Sequence, residues 1–236
     1  MTFRVKIISP ITIDQADLER RRFRYGETAS AGTQIDVLNL PEGPTGLHSV
    51  AEMVACEHAV FQAAAGIRAD ECDAILIDCV FDPAVDHIRK HTGLPTFGPM
   101  RTTLSLVHLV ARNFAIISRT RTQCEMMTDL VRQYGYERSL VATRSLDLTY
   151  AQGRQPAVFN EAMAEQIRNA VRKDCAQAIL MGSTTMALND KLLAAAEGVP
   201  LYMTGMFTLR VMESMWKEGL LIRKPLQRGL ARRKGR

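Results

Sequence analysis

Two short apolar runs, Ala74-Ile-Leu-Ile-Asp-Cys79 and Ala178-Ile-Leu-Met-Gly-Ser183, have the character of strands buried on both faces, as in a parallel sheet. A helix-length segment follows each (roughly 82–91 and 186–197). Gly93-Leu-Pro95 then comes 14 residues after Cys79, and Gly198-Val-Pro200 comes 15 after Ser183, each leading into another apolar stretch. This is a strand–helix–strand unit written twice. The repeat extends upstream, where Lys6-Ile-Ile-Ser9 is echoed by Ala115-Ile-Ile-Ser118. Ser9 lies 70 residues before Cys79, and Ser118 lies 65 before Ser183. Apolar positions at helical spacing predict further helices over 49–68, 122–135 and 157–173, the last with Asn160 as its cap.

The expected fold is therefore α/β, with two pseudo-symmetric, flavodoxin-like lobes over 1–105 and 106–215. Each is a parallel sheet flanked by helices, and a C-terminal helix and basic tail (216–236) follow. Ligands of open parallel sheets bind beyond the carboxyl ends of the strands. Ser9, Cys79, Ser118 and Ser183 all stand at such ends. Two lobes facing each other about a pseudo-two-fold axis would bring them into one cleft, with Cys79 and Ser183 on opposite sides of a ligand.

Composition narrows the function classes. The chain has 236 residues, 47% hydrophobic and 23% charged, as in an ordinary globular protein. No apolar run reaches the ~18–20 residues of a membrane span, and the first residues lack the apolar core of a secretory signal. The five cysteines (56, 72, 79, 124 and 175) form no framework spacing, which predicts a reduced, cytoplasmic setting. Cys56, Cys72, Cys124 and Cys175 are expected to be packing residues. The net charge of +5 is local: residues 223–236 hold seven Lys/Arg and no acid, leaving the rest at −2. A basic tail on a mildly acidic body argues against nucleic acid as a partner.

The histidines (48, 58, 87, 91 and 108) show no metal-ligand spacing, so no metal is expected. A nucleotide-binding reading would need a glycine-rich loop after the first strand. Pro10-Ile-Thr-Ile-Asp-Gln-Ala-Asp17 has none. Arg101, Arg119 and Arg121 follow strand-like runs and could pair with a carboxylate, although such arginines are more often solvated. Met203, Met206, Met212, Met215 and Trp216 mark a late apolar helix, core or subunit interface, whose exposure would favour a homo-oligomer.

Taken in order, the motifs resemble the aspartate/glutamate/hydantoin racemase superfamily, over about residues 4–210 and most closely its hydantoin and allantoin racemase branch. They are Ile8-Ser-Pro-Ile-Thr12, Gly32-Thr-Gln-Ile-Asp-Val-Leu38, Gly43-Pro-Thr-Gly-Leu-His-Ser49, Cys79-Val-Phe-Asp-Pro83, Leu94-Pro-Thr-Phe-Gly98, Phe114-Ala-Ile-Ile-Ser118 and Gly182-Ser-Thr-Thr-Met186. Arylmalonate decarboxylase and maleate isomerase are more distant members.

The resemblance implies an enzyme without a cofactor, in which two cysteines work on opposite faces of an acidic carbon. One thiolate removes a proton and the other thiol returns one. Sulfur suits the task because its unperturbed pKa of ~8.5 is near neutral pH. The chain departs from the pattern at Ser183, which stands where the second cysteine is usual.

The catalytic expectation is accordingly Cys79 as acid/base with Ser183 opposite it. Ser9, Thr12, Asp82, Ser118, Gly182, Thr184 and Thr185 are expected around a small carboxylate or hydantoin-like (cyclic ureide) substrate. Single-cysteine decarboxylation of a malonate-type acid and non-catalytic ligand binding are the alternative readings.

Overall fold

The computed structural model describes residues 2–153 and 155–221; the basic stretch 223–236 lies outside the described residues. The first half runs β1 (Phe3–Ile8), α1 (Gln15–Thr28), β2 (Thr33–Leu38), α2 (Val50–Ala65), β3 (Ala74–Ile77), α3 (Val85–Thr92), β4 (Thr96–Phe97) and α4 (Pro99–Val110). The second runs β5 (Phe114–Ser118), α5 (Arg121–Gln133), β6 (Leu140–Ser145), α6 (Tyr150–Gly153), α7 (Pro156–Arg172), β7 (Ile179–Met181), α8 (Asp190–Ala195), β8 (Leu201–Tyr202) and α9 (Thr204–Lys217).

The strands form two four-stranded parallel sheets with the same order, β2-β1-β3-β4 and β6-β5-β7-β8. The repeated landmarks thus mark equivalent positions of two like sheets. Registers agree as well: Ile8 pairs with Ile77 in one sheet and Ile117 with Met181 in the other. Strands β3, β5 and β7 are buried at every position, as helices on both faces require.

Helix starts follow from local chemistry. Asp14, Ser49, Thr120 and Asn189 each accept an N–H of the first turn through their side chains. The expectation for α7 is corrected. It begins at Pro156, whose fixed φ suits a first helical position, and Asn160 lies inside it, accepting from Asn189 Nδ2 at 3.1 Å. Helices α1 and α4 fall outside the helices expected from hydrophobic spacing.

The last helix of each half crosses to the other half's sheet. Met100, Leu104 and Val107 of α4 join Phe114 and Ile116 of β5 in one core. Leu209 and Met212 of α9 join Phe3, Val5 and Ile7 of β1 in another. Helices α4 and α9 also pack on each other. Positions 105/106 and 215/216 therefore fall within helices that tie the halves together.

This packing removes the argument for a homo-oligomer drawn from an exposed late helix. Helix α9 buries its apolar face in the N-terminal lobe, and Trp216 stacks on Phe3 with ring centroids 5.0 Å apart. Cys56, Cys72 and Cys124 are buried, as packing residues should be, but Cys175 is exposed at a positive φ of 54° and is not one. None of the described helices is long and apolar enough to cross a membrane.

Candidate active site

Strand β3 stops at Ile77, and the chain turns out through Asp78 and Cys79, whose N–H returns to Ile77 O at 2.8 Å. Strand β7 stops at Met181, and Gly182 and Ser183 turn out at the equivalent place. The two turns meet. The Thr184 hydroxyl donates to Asp78 O at 3.2 Å, so the neighbours of Cys79 and Ser183 touch across the lobes. Two further bonds close the same seam: Gln123 Nε2 donates to Leu47 O at 2.9 Å, and Tyr134 Oη donates to Asp82 Oδ2 at 3.0 Å.

Cys79 is buried. Burial pushes its thiol well above the ordinary value, and neighbouring Cys56, Asp82 and Asp78 push the same way. The Phe81 N–H directed at it favours the thiolate but does not offset the desolvation. The Cys79 thiol is therefore held in its protonated form at neutral pH.

Ser183 is half-buried in a polar setting. Its Oγ lies 2.9 Å from Thr185 Oγ1 and accepts the Thr185 N–H at 3.3 Å. Arg119 Nη2 donates to Thr185 Oγ1 at 3.2 Å, leaving the Thr185 hydroxyl proton free to point at Ser183. Either hydroxyl can be the donor in the Ser183–Thr185 pair. An unassisted hydroxyl is a poor general base, and no basic group is bonded to this one.

The remaining expected residues divide into those free to face a ligand and those held by the scaffold. Ser9 is fully buried, and its hydroxyl donates to Ile11 O at 2.8 Å. Thr12 ties its loop to the one after β2, with its N–H on Pro44 O (2.9 Å) and its Oγ1 on Gly43 O (3.4 Å). Ser118 is fully buried and shares its proton between Gln123 Oε1 (3.1 Å) and Gly182 O (3.2 Å). A Cβ on Gly182 would come within 2.8 Å of Ile117 O, so glycine there lets β7 close onto β5. Thr184 holds the seam, while Thr185 stands beside Ser183.

Asp82 has a structural task. Its Oδ1 accepts the Met100 N–H at 3.0 Å and its Oδ2 the Arg101 N–H at 2.7 Å. It thereby caps α4, whose own N-cap, Gly98, has no side chain to do so. A Cβ on Gly98 would lie 2.3 Å from Asp82 Cγ, so this placement of Asp82 requires glycine at 98. The turn from Cys79 contains two non-glycine positive φ values, Asp82 at 50° and Ala84 at 56°, and these bonds hold it in that shape.

Burial raises the Asp82 carboxyl to about 7 against the pull of its three donors and Arg101. The native state therefore keeps this proton longer than the unfolded chain does. Stability attributable to it is greatest below about pH 4, declines up to about pH 7 and is level above. Urea unfolding across that range should show this decline in the wild type and lose it in Asp82→Asn, whatever the altered cap costs in absolute stability.

Three residues beside the turn were not anticipated: Asp78, Arg21 and Tyr25. The Asp78 carboxylate is buried between Arg21 Nη1, which bonds to Oδ2, and Tyr25 Oη, which bonds to Oδ1 at 2.7 Å. The available signal was the buried stripe Leu18, Arg21 and Tyr25 on α1, a helix face carrying a charge where an apolar residue is usual.

Arg101 pairs with Asp86 at 2.7 and 2.8 Å rather than being solvated. His48 is exposed. Among the described residues, no three His, Cys, Asp or Glu side chains cluster as metal ligands would.

Comparison with known proteins agrees with this architecture. The family model described as Asp/Glu/Hydantoin racemase matches residues 24–210. Hydantoin racemase of Paenarthrobacter aurescens is 26% identical over 193 residues, covering 80% of this chain and 81% of that protein. The structure of allantoin racemase from Klebsiella pneumoniae superposes with a TM-score of 0.82 at 21% identity, covering 94% of this chain and 90% of that one. A liganded double mutant of arylmalonate decarboxylase shares the fold at a TM-score of 0.62 and 18% identity, with 89% and 92% covered. The repeated sheets, the facing strand ends and the match over most of its length make this chain a member of the Asp/Glu/hydantoin racemase family.

Proposed function

We propose that the protein is a cofactor-independent isomerase that moves protons at the α-carbon of a small carboxylate or hydantoin-like substrate. Cys79 is its acid/base and Ser183 stands opposite. The observation that carries this reading is the contact between the two strand-end turns, Thr184 Oγ1 on Asp78 O, which sets Cys79 and Ser183 on either side of one seam.

In the forward step the α C–H bond breaks, its proton passes to the Cys79 sulfur, and its electron pair moves into the adjacent carbonyl. Hydrogen-bond donors at the strand ends, among them the Ser183 hydroxyl, stabilise the charge that develops on oxygen. Proton return from Cys79 restores the original configuration. Return from the Ser183 side inverts it, and the weak acidity of a hydroxyl makes that the slow direction. The protonated resting state of Cys79 means that substrate must bind the thiolate minority, or that the bound state must favour it.

That same protonated state favours a second reading, single-thiol decarboxylation. Loss of carbon dioxide from a malonate-type acid generates the carbanion without a base, and only a donor is then needed. Proton NMR in deuterium oxide with single enantiomers of hydantoins, allantoin, aspartate and glutamate, and with arylmalonates, separates the two. Replacement of an α-hydrogen by deuterium supports proton transfer. Carbon dioxide release from an arylmalonate without exchange of the others supports the decarboxylase.

A further inference from the structure

Most guanidinium groups that leave the solvent in this fold find a carboxylate: Arg4 meets Asp73, Arg21 meets Asp78, Arg101 meets Asp86 and Arg144 meets Asp174. Arg24 and Arg119 are half-buried and form no ion pair among the described residues. They come from different lobes, Arg24 from α1 and Arg119 from the turn after β5, and reach consecutive residues of one loop. Arg24 Nη1 donates to Thr184 O at 3.4 Å, and Arg119 Nη2 donates to Thr185 Oγ1 at 3.2 Å. Arg24 Nε is buried with no hydrogen-bond partner. The face of Arg119 lies over the Phe159 ring, 5.2 Å from its centroid, which fixes the plane of the fork.

Each group is held below the usual arginine value, first by burial. Arg119 is depressed further by the positive charge of Arg24, so the two sense each other. The fields of Asp78 and, more weakly, Asp17 reach Arg24, but the Asp78 oxygens are already bonded to Arg21 and Tyr25, and Asp17 is bonded to Arg20. Two arginines stay charged at any ordinary pH. Keeping them together, partly desolvated and without a counter-ion, is unfavourable unless something anionic joins them. The loop they reach carries Ser183 and touches the residue before Cys79.

We infer that Arg24 and Arg119 form a two-lobe clamp for a carboxylate of the substrate, and that the protein acts on an acid rather than on a neutral cyclic ureide. This rests on the proposed proton-transfer site and selects between its two substrate classes. A carboxylate between two planar forks can accept paired N–H bonds from each, which fixes the substrate relative to both turns. Because one fork belongs to each lobe, the bound acid would also draw the lobes together over the reacting carbon.

The test uses succinate and its neutral counterpart succinamide, neither requiring turnover, titrated calorimetrically into the wild-type protein. Succinate should bind at least about tenfold more tightly than succinamide. Arg24→Gln and Arg119→Gln should each weaken succinate about ten- to hundredfold, the range for hydrogen bonds to charged groups, and leave succinamide unchanged. Exposed Arg138→Gln should change neither.

If a glutamine variant lacks a cooperative melting transition, Arg24→Lys or Arg119→Lys replaces it. These retain the charge and lose the fork, so a partial loss is expected. Equal binding of the two ligands, no detectable binding of succinate, or succinate binding indifferent to both arginines would overturn the clamp. Succinate binding requires no proton transfer. The clamp therefore stands or falls on binding, whereas the proton-transfer reading stands or falls on exchange.

Discussion

Ser183→Cys should raise the rate at which an enantiopure substrate loses optical activity by about 10²-fold or more, the usual contribution of a positioned acid/base group. The substitution exchanges oxygen for sulfur with little change of shape. The new thiol would accept the Thr185 N–H that Ser183 accepts now, next to the hydroxyl held by Arg119. An N–H donor and a nearby guanidinium both lower a thiol pKa. It would thus serve as base where desolvated Cys79, held high by burial, serves as acid. Polarimetry of wild type, Ser183→Cys and Ser183→Ala in parallel checks this. A Ser183→Cys rate no greater than that of Ser183→Ala would show that the second turn takes no part in proton return.

Asp78→Ala should destabilise the protein by about 3–5 kcal/mol, the cost of removing one partner from a buried ion pair. Asp78 is 1% exposed and Arg21 4%, and Arg21 Nε already lacks a partner, so water cannot readily take the carboxylate's place. The Tyr25 hydroxyl would lose its acceptor at the same time. A loss of this size is a large share of the ~5–15 kcal/mol typical of a folded protein. The double replacement Asp78→Leu with Arg21→Leu should cost less than Asp78→Ala alone, because it leaves no uncompensated charge. Urea unfolding midpoints give both comparisons. A double variant weaker than the single one would mean that the pair contributes through its own attraction rather than by mutual neutralisation.

Much of the fold could be read from the sequence because its signals are local and repeated. The runs at 74–79 and 178–183 are too uniformly apolar for one-sided strands, and the matched Gly-x-Pro spacings place the return strands. What escaped the sequence was non-local. Nothing in Pro99–Val110 or Thr204–Lys217 says that α4 and α9 pack on each other's sheets, since an apolar stripe does not name its partner. The motif context of Cys79 and Ser183 marks the two turns, yet the roles of their neighbours depend on contacts across long stretches of chain. Asp82 accepts from residues 18 and 19 positions later, and Arg24 meets Thr184 across 160. Asp82 accepts N–H groups at the start of α4, whose own cap, Gly98, has no side chain, and nothing near Asp82 in the sequence names that partner. Arg24, one of four arginines between Arg20 and Arg24, is indistinguishable in sequence from its exposed neighbours.

The most direct test of the account is the rate of α-deuterium incorporation in deuterium oxide, measured side by side for the wild type, Cys79→Ala and Cys175→Ala. The substrate is whichever compound of the panel the wild type exchanges. Cys79→Ala should lose about 10²–10⁴-fold or fall to background, as expected when the acid/base group is removed. Cys175→Ala removes an exposed thiol that precedes β7, at the opposite end of that strand from Ser183, and should exchange as the wild type does. Exchange that survives unchanged in Cys79→Ala would contradict the account, because the proton would then be moving without the group at the end of β3.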